Sequence, residues 1–102
     1  MTVGEWVASR AAGVPPHLLA RVNEALGPAR QLPSARVPEE CVAAADRIVA
    51  ELLSHDRTGR DSALALLAAD ALVTFAFEAA ADAPEQLPGR AHAAMHALGT
   101  SR

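Results

Sequence analysis

The chain of 102 residues has few aromatic side chains, a single cysteine, and no lysine or tyrosine. With one Trp and two Phe, the supply of sheet-forming residues is too thin to favour a β-sheet. The lone Cys41 provides no disulfide framework, so we expect a reducing, cytoplasmic location. The N-terminus lacks a basic stretch followed by an apolar core, so no signal peptide is predicted.

Positive charge is also in short supply. Nine arginines stand against twelve acidic residues, giving a formal net charge of −3. Without a basic surplus to contact phosphates, nucleic-acid binding is not expected. Alanine, in contrast, occurs 25 times and favours closely packed helices. The composition therefore predicts one all-α domain, a small bundle of four to five helices.

The most apolar part of the chain is residues 60–82, which we predict to be one helix. On a helical wheel, one side carries Leu64, Leu67, Leu72 and Phe75, the opposite side carries Leu66, Val73 and Phe77, and a stripe between them carries Ala65, Ala69, Ala76 and Ala80. Two apolar sides need partners on both, which is typical of a helix inside an assembly. Asp70 and Glu78 make a membrane span costly, so none is expected.

A one-sided amphipathic helix is predicted over residues 38–55. Its apolar side consists of Cys41, Ala44, Ala45, Ile48, Val49, Leu52 and Leu53. Because only a short turn separates this helix from residues 60–82, we expect the two to form an antiparallel hairpin at the centre of the bundle.

Residues 1–27 are predicted to form a pair of short helices. Thr2 and Glu5 have the spacing of a capping box, and the helix that they begin should end near Gly13. Residues 28–37 are interpreted as a linker, because proline recurs there and the apolar residues have no periodic spacing. The core hairpin and a C-terminal helix then occupy residues 38–102.

The C-terminal helix should run from Pro88-Gly89 to about Leu98. Its inward side would carry Leu87, Ala91, Met95 and Leu98. His92 and His96 are four residues apart and share a face, a spacing that can begin a metal site. Since no third ligand accompanies them, we interpret them as exposed histidines and predict no metal and no cofactor.

The helix over residues 60–82 also carries Asp70, Thr74 and Glu78 in a row at i, i+4 and i+8. One interpretation is a polar seam at a specific interface or pocket, since buried carboxylates need partners. The other interpretation, which we favour, is the solvent-facing edge of the helix. If the row is covered, its partners would be Arg47, Arg57 or Arg60.

No catalytic motif accompanies these features, and no enzymatic activity is predicted. Cys41 lies on the apolar side of its helix and is expected to be a buried, unreactive thiol. Trp6 is expected to anchor the N-terminal helix to the core, with an exposed contact residue as the alternative.

The segment DSALALLAADALVTFAFE, residues 61–78, resembles the helix of trans-isoprenyl diphosphate synthases that reads GEATAILAGDALLTLAFE. Within residues 69–78, the matching positions are Asp70, Ala71, Leu72, Thr74, Ala76, Phe77 and Glu78, whereas Ala69, Val73 and Phe75 depart from the pattern. The resemblance implies a helix-packing role close to a dimer contact. It does not imply the activity, because those enzymes bind magnesium and diphosphate through DDxxD motifs, which this chain lacks.

These observations together predict a small helical interaction module, a homodimer or a binder of another protein. The candidate interface or pocket residues are Leu66, Asp70, Val73, Thr74, Phe77 and Glu78. The alternative function is a small carrier of apolar ligands, or a non-catalytic accessory protein resembling part of an isoprenyl diphosphate synthase.

Overall fold

The structure, a computed structural model, describes residues 1–55 and 59–83, together with Gly89, His92, Ala93, Met95 and His96. Within these residues, the α-helices are Val3–Ser9 (α1), Pro16–Leu26 (α2), Val37–His55 (α3) and Arg60–Ala81 (α4). The 3₁₀ helices Gly27–Gln31 and Ser34–Arg36 lie between α2 and α3. The same residues contain no β-strand, and Thr2 and Pro33 form an isolated bridge. The all-α fold class is confirmed.

Helix α1 begins with the predicted capping box. The Glu5 backbone N–H donates to Thr2 Oγ1 at 3.1 Å, and the Thr2 N–H donates to Glu5 Oε1 at 2.8 Å. The helix ends at Ser9, earlier than predicted, because Arg10 and Ala11 donate to the carbonyls of Val7 and Ala8 three residues back. Such bonds tighten and close the last turn of a helix.

The segment interpreted as a linker is attached to the N-terminus through the backbone. Val3 N donates to the Leu32 carbonyl at 2.8 Å, and Ser34 N donates to the Met1 carbonyl at 2.9 Å. These bonds join backbone groups that are far apart in sequence, and they do not depend on a periodic spacing of apolar residues. The sequence pattern therefore did not reveal them.

Helix α4 packs most extensively against α3 and also contacts α2. Its inward side is mainly small: the buried residues are Ser62, Ala65, Ala68, Ala69, Leu72, Phe75, Ala76, Ala79 and Ala80. Small side chains allow neighbouring helices to approach closely, which increases the number of dispersion contacts. The stripe predicted to lie between two apolar sides is therefore the packed face of α4.

Three predicted inward positions are wrong for the same reason. Leu67 is exposed, although the wheel grouped it with the buried Leu72 and Phe75. In α3, Cys41, Ala44, Ala45 and Ile48 are buried as predicted, but Val49 and Leu53 are exposed. An alanine-lined contact between helices is narrow, so large residues at the edge of a predicted apolar side remain in solvent.

The C-terminal region is described at five residues only. Gly89, His92, Ala93, Met95 and His96 are helical and exposed, and the rest of the predicted C-terminal helix lies outside the described residues. The inward placement of Met95 is wrong, since 72% of its surface is accessible. Leu87, Ala91 and Leu98 fall among the residues that are not described.

Candidate functional site

Besides Leu67, three large apolar side chains on α4 face solvent. Leu66 is 54% exposed, Val73 is 36% exposed and Phe77 is 71% exposed. Spacings of seven and four residues place all three on one side of the helix. We call this set, Leu66, Val73 and Phe77, the α4 outer face. It lies opposite the buried Leu72 and Phe75.

The polar members of the predicted set are exposed as well. Asp70, Thr74 and Glu78 all face solvent, in agreement with the solvent-edge interpretation of the row. The Thr74 hydroxyl donates to the Asp70 backbone carbonyl at 3.0 Å, within the same helix. Asp70 and Thr74 are therefore available at the surface, beside the α4 outer face.

Glu78 belongs to a different contact, made with the end of α1. Arg10 Nη1 lies 3.7 Å from Glu78 Oε2, and Arg10 Nη2 donates to Asp82 Oδ2 at 2.9 Å. The Arg10 guanidinium also lies 4.8 Å from the centre of the Trp6 ring. This arrangement ties α1 to the C-terminal end of α4, and sequence analysis did not identify Arg10.

Of the partners predicted for the row, Arg47 is used elsewhere. Its Nη2 donates to the Ala25 carbonyl of α2 at 2.9 Å, so it links α3 to α2. Arg57 lies outside the described residues. The polar row therefore separates into Glu78, drawn toward α1, and Asp70 with Thr74, which remain beside the α4 outer face.

The interior on the other side of α4 is closely packed around two aromatic rings. Trp6 and Phe75 meet edge to face, with 5.9 Å between ring centres and 88° between planes. Trp6 is buried, so its predicted role as the anchor of α1 is confirmed. An edge-to-face pair of this kind adds about 0.5–1.5 kcal/mol beyond the burial of its surface.

Cys41 is buried in α3, as predicted. Burial raises the pKa of its thiol to about 12, and the negative charge of Glu40 adds to the shift. A thiol that stays protonated at neutral pH is a poor nucleophile and a poor metal ligand. Among the residues that the structure describes, no three His, Cys, Asp or Glu side chains are grouped as metal ligands would be.

A cleft of about 250 Å³ opens between α2, α3 and α4. Its walls carry Arg21, Glu24, Ile48, Glu51, Leu52, Asp61, Ser62 and Ala65. Half of these side chains are charged, and neither Phe75 nor Phe77 contributes to the lining. This is not the apolar pocket beside Phe75 or Phe77 that a carrier of apolar ligands would need.

By length and composition alone, α4 would suffice to cross a membrane. Its mean hydropathy reaches 1.8 over an 18-residue window, of which 39% is buried inside the fold. The core helix of a soluble protein meets the same criterion. Here the buried share corresponds to the alanine-rich side, and the exposed share includes the α4 outer face.

Comparison with protein-family models, with curated proteins and with solved structures finds no match to this chain. The candidate site therefore rests on its own geometry. That geometry is a helix with one side packed through alanine and the other presenting Leu66, Val73 and Phe77 to solvent around Asp70.

Proposed function

We propose that this protein is a small, non-enzymatic helical interaction module that associates with a second copy of itself through the α4 outer face. The observation that carries the proposal is the exposure of Leu66, Val73 and Phe77 on one side of the most apolar helix. Single exposed apolar residues are common on protein surfaces, but grouped ones mark sites of association.

The proposal includes a specific arrangement of the helices. We propose that α3 and α4 form an antiparallel hairpin and that α1 and α2 cover one side of it. Support comes from the four-residue connection, 56–59, and from the extensive packing of α4 on α3. The Trp6–Phe75 contact ties α1 to α4 on the covered side. The opposite side of the hairpin would then be available to a partner.

The chemistry around the α4 outer face supports a protein partner over an anionic one. Asp70 is exposed four residues after Leu66 and three before Val73, so it shares their side of the helix. A carboxylate at this position repels phosphates of nucleic acids and of anionic membranes. The buried Cys41 thiol fits the reducing cytoplasm that we propose as the location.

Two adjacent leucines provide a matched test. Leu66 and Leu67 are 54% and 56% exposed, but successive helical residues point in directions about 100° apart. Leu66 belongs to the α4 outer face, whereas Leu67 shares a row with Thr74 and Glu78. Leu66→Glu should therefore abolish association, and Leu67→Glu should leave it intact. Sedimentation velocity of the full chain at micromolar concentrations measures both.

Circular dichroism and thermal unfolding of both variants would establish that each is folded. A wild-type chain that sediments as a monomer throughout the micromolar range would contradict the proposal. Equal effects of the two substitutions would contradict the assignment of the interface to the α4 outer face, because they would show a response to added charge rather than to position.

A further inference from the structure

Helix α3 exposes a second apolar surface. Val42 is 47% exposed, Val49 is 38% exposed and Leu53 is 79% exposed. They are separated by seven and four residues and therefore share one side of α3. We call Val42, Val49 and Leu53 the α3 outer face. Val42 was not identified from the sequence, and the other two were predicted to be buried.

The two outer faces have the same spacing of apolar residues, with an aspartate at the same position between them. An apolar residue is followed by an aspartate at i+4 and by apolar residues at i+7 and i+11. In α3 these are Val42, Asp46, Val49 and Leu53, and in α4 they are Leu66, Asp70, Val73 and Phe77. All eight side chains are exposed. Two helices with an equivalent pattern can contribute equivalently to one contact.

Contacts on the covered side place both outer faces on the same side of the hairpin. Arg47 of α3 reaches α2, and Phe75 of α4 meets α1. Val49 follows Arg47 by two residues, and Phe77 follows Phe75 by two residues. Two helical residues correspond to a rotation of about 200°, so Val49 and Phe77 point away from α1 and α2. In the antiparallel hairpin, the two outer faces are therefore neighbours.

We infer that the α3 and α4 outer faces form one continuous surface and that this surface docks on the same surface of a second copy, giving a two-fold symmetric four-helix contact. The inference rests on the proposed function, which assigns only the α4 outer face. It adds three residues of α3 to the interface and specifies how the two chains meet.

The area needed for a stable dimer favours this larger surface. Taking about 150 Å² for a large side chain, the exposures on α4 alone give on the order of 250 Å² of apolar surface per copy. Two copies would bury about 500 Å², below the roughly 1,000 Å² of a specific interface. Adding the α3 outer face raises the apolar total for two copies to about 1,000 Å².

The aspartates on the two helices give this dimer a characteristic response to salt. A two-fold axis between stacked hairpins brings Asp46 or Asp70 of one copy toward an aspartate of the other. Screening of this like-charge repulsion strengthens association, whereas pairing with a basic surface would weaken as salt is added. We expect the dissociation constant to fall when ionic strength rises from about 0.01 M to 1 M.

Leu53→Glu tests the contribution of α3, with Leu67→Glu as the matched control at an exposed position of α4 outside both outer faces. Leu53→Glu should raise the dissociation constant by at least about tenfold, as expected when a charge replaces a large apolar residue that association buries. Leu67→Glu should not change it. Sedimentation equilibrium of the full chain gives both values.

A thiol at position 53 provides a second measurement, which remains possible if the Leu53→Glu variant does not fold. Leu53→Cys should be alkylated more slowly as protein concentration rises, because association covers it. Ala20→Cys, at an exposed position of α2, should react at a rate independent of concentration. The native Cys41 is buried, so it does not compete for the reagent.

The outcomes separate this inference from the proposed function. If Leu66→Glu dissociates the dimer while Leu53→Glu does not, and Leu53→Cys remains fully reactive, the α3 outer face is excluded and the proposed function stands. If the wild-type chain never associates, both fail. Association that weakens with salt would also overturn the stacked arrangement, since it would show attraction between opposite charges.

Discussion

The two phenylalanines of α4 should differ sharply in their contribution to stability. Phe75 is 4% exposed and packs against Trp6 at 5.9 Å, whereas Phe77 is 71% exposed on the outer face. Phe75→Ala leaves a cavity in the core and should lower the free energy of unfolding by about 3–5 kcal/mol. That is a large fraction of the roughly 5–15 kcal/mol typical of a domain.

For Phe77→Ala, the change in the unfolding free energy of the monomer should stay within about 0.5 kcal/mol, because little packing is lost. Urea unfolding followed by far-ultraviolet circular dichroism, at concentrations low enough to keep the chain monomeric, measures both variants. Repeating the titration at higher concentration should stabilise the wild type but not Phe77→Ala, since association stabilises only the folded state.

Similar losses for the two substitutions at low concentration would refute the placement of α4. They would mean either that Phe77 is covered by the chain itself or that Phe75 is not part of the core. A Phe75→Leu variant, which retains most of the apolar volume, should recover part of the loss and so separate the effect of packing from that of a misfolded chain.

Four further predictions concern the rest of the fold. Thr2→Ala removes the side-chain half of the capping box and should cost about 1 kcal/mol in urea unfolding; no loss would contradict the observed cap. The hydrogen bond from the Thr2 backbone lowers the pKa of Glu5, so its stabilisation is present above the carboxyl's ordinary pKa and is lost as pH falls through the lowered value. Unfolding measured against pH should therefore show a smaller acid loss for Glu5→Gln, and an unchanged profile would contradict this. Cys41 should react with a thiol reagent at least about tenfold more slowly in the native state than in urea, and equal rates would show that it is not buried. Arg10→Met should lower stability by at most about 1 kcal/mol, with a smaller loss in high salt, because the Asp82 contact is exposed; a salt-independent loss would assign the effect to packing instead.

The positions of α3 and α4 followed from local signals in the sequence. The predicted bounds of α3 and α4 differ from the observed ones by no more than one residue at any end. Proline in the first turn and Gly59, with a φ of 109°, mark these ends through their own backbone preferences. Such preferences act within a few residues and are readable without knowing the fold.

Which side of each helix is buried was harder to predict, because that depends on the partner helix. Hydrophobicity ranked Leu67 and Leu53 as core residues, yet the packed side of α4 is built mainly from alanine. Close approach of two helices selects small side chains at the contact, and a scale based on apolar size does not register this. The Arg10–Asp82 contact joins residues 72 apart, which no local pattern encodes.

The central claim is that the outer faces of α3 and α4 are covered by a second copy of the chain. Sedimentation equilibrium of the full wild-type protein across the micromolar range tests it most directly. The mass should rise with concentration from 10.6 kDa to twice that value and then level off, as a closed two-fold contact requires. A mass that remains at 10.6 kDa throughout would contradict the claim.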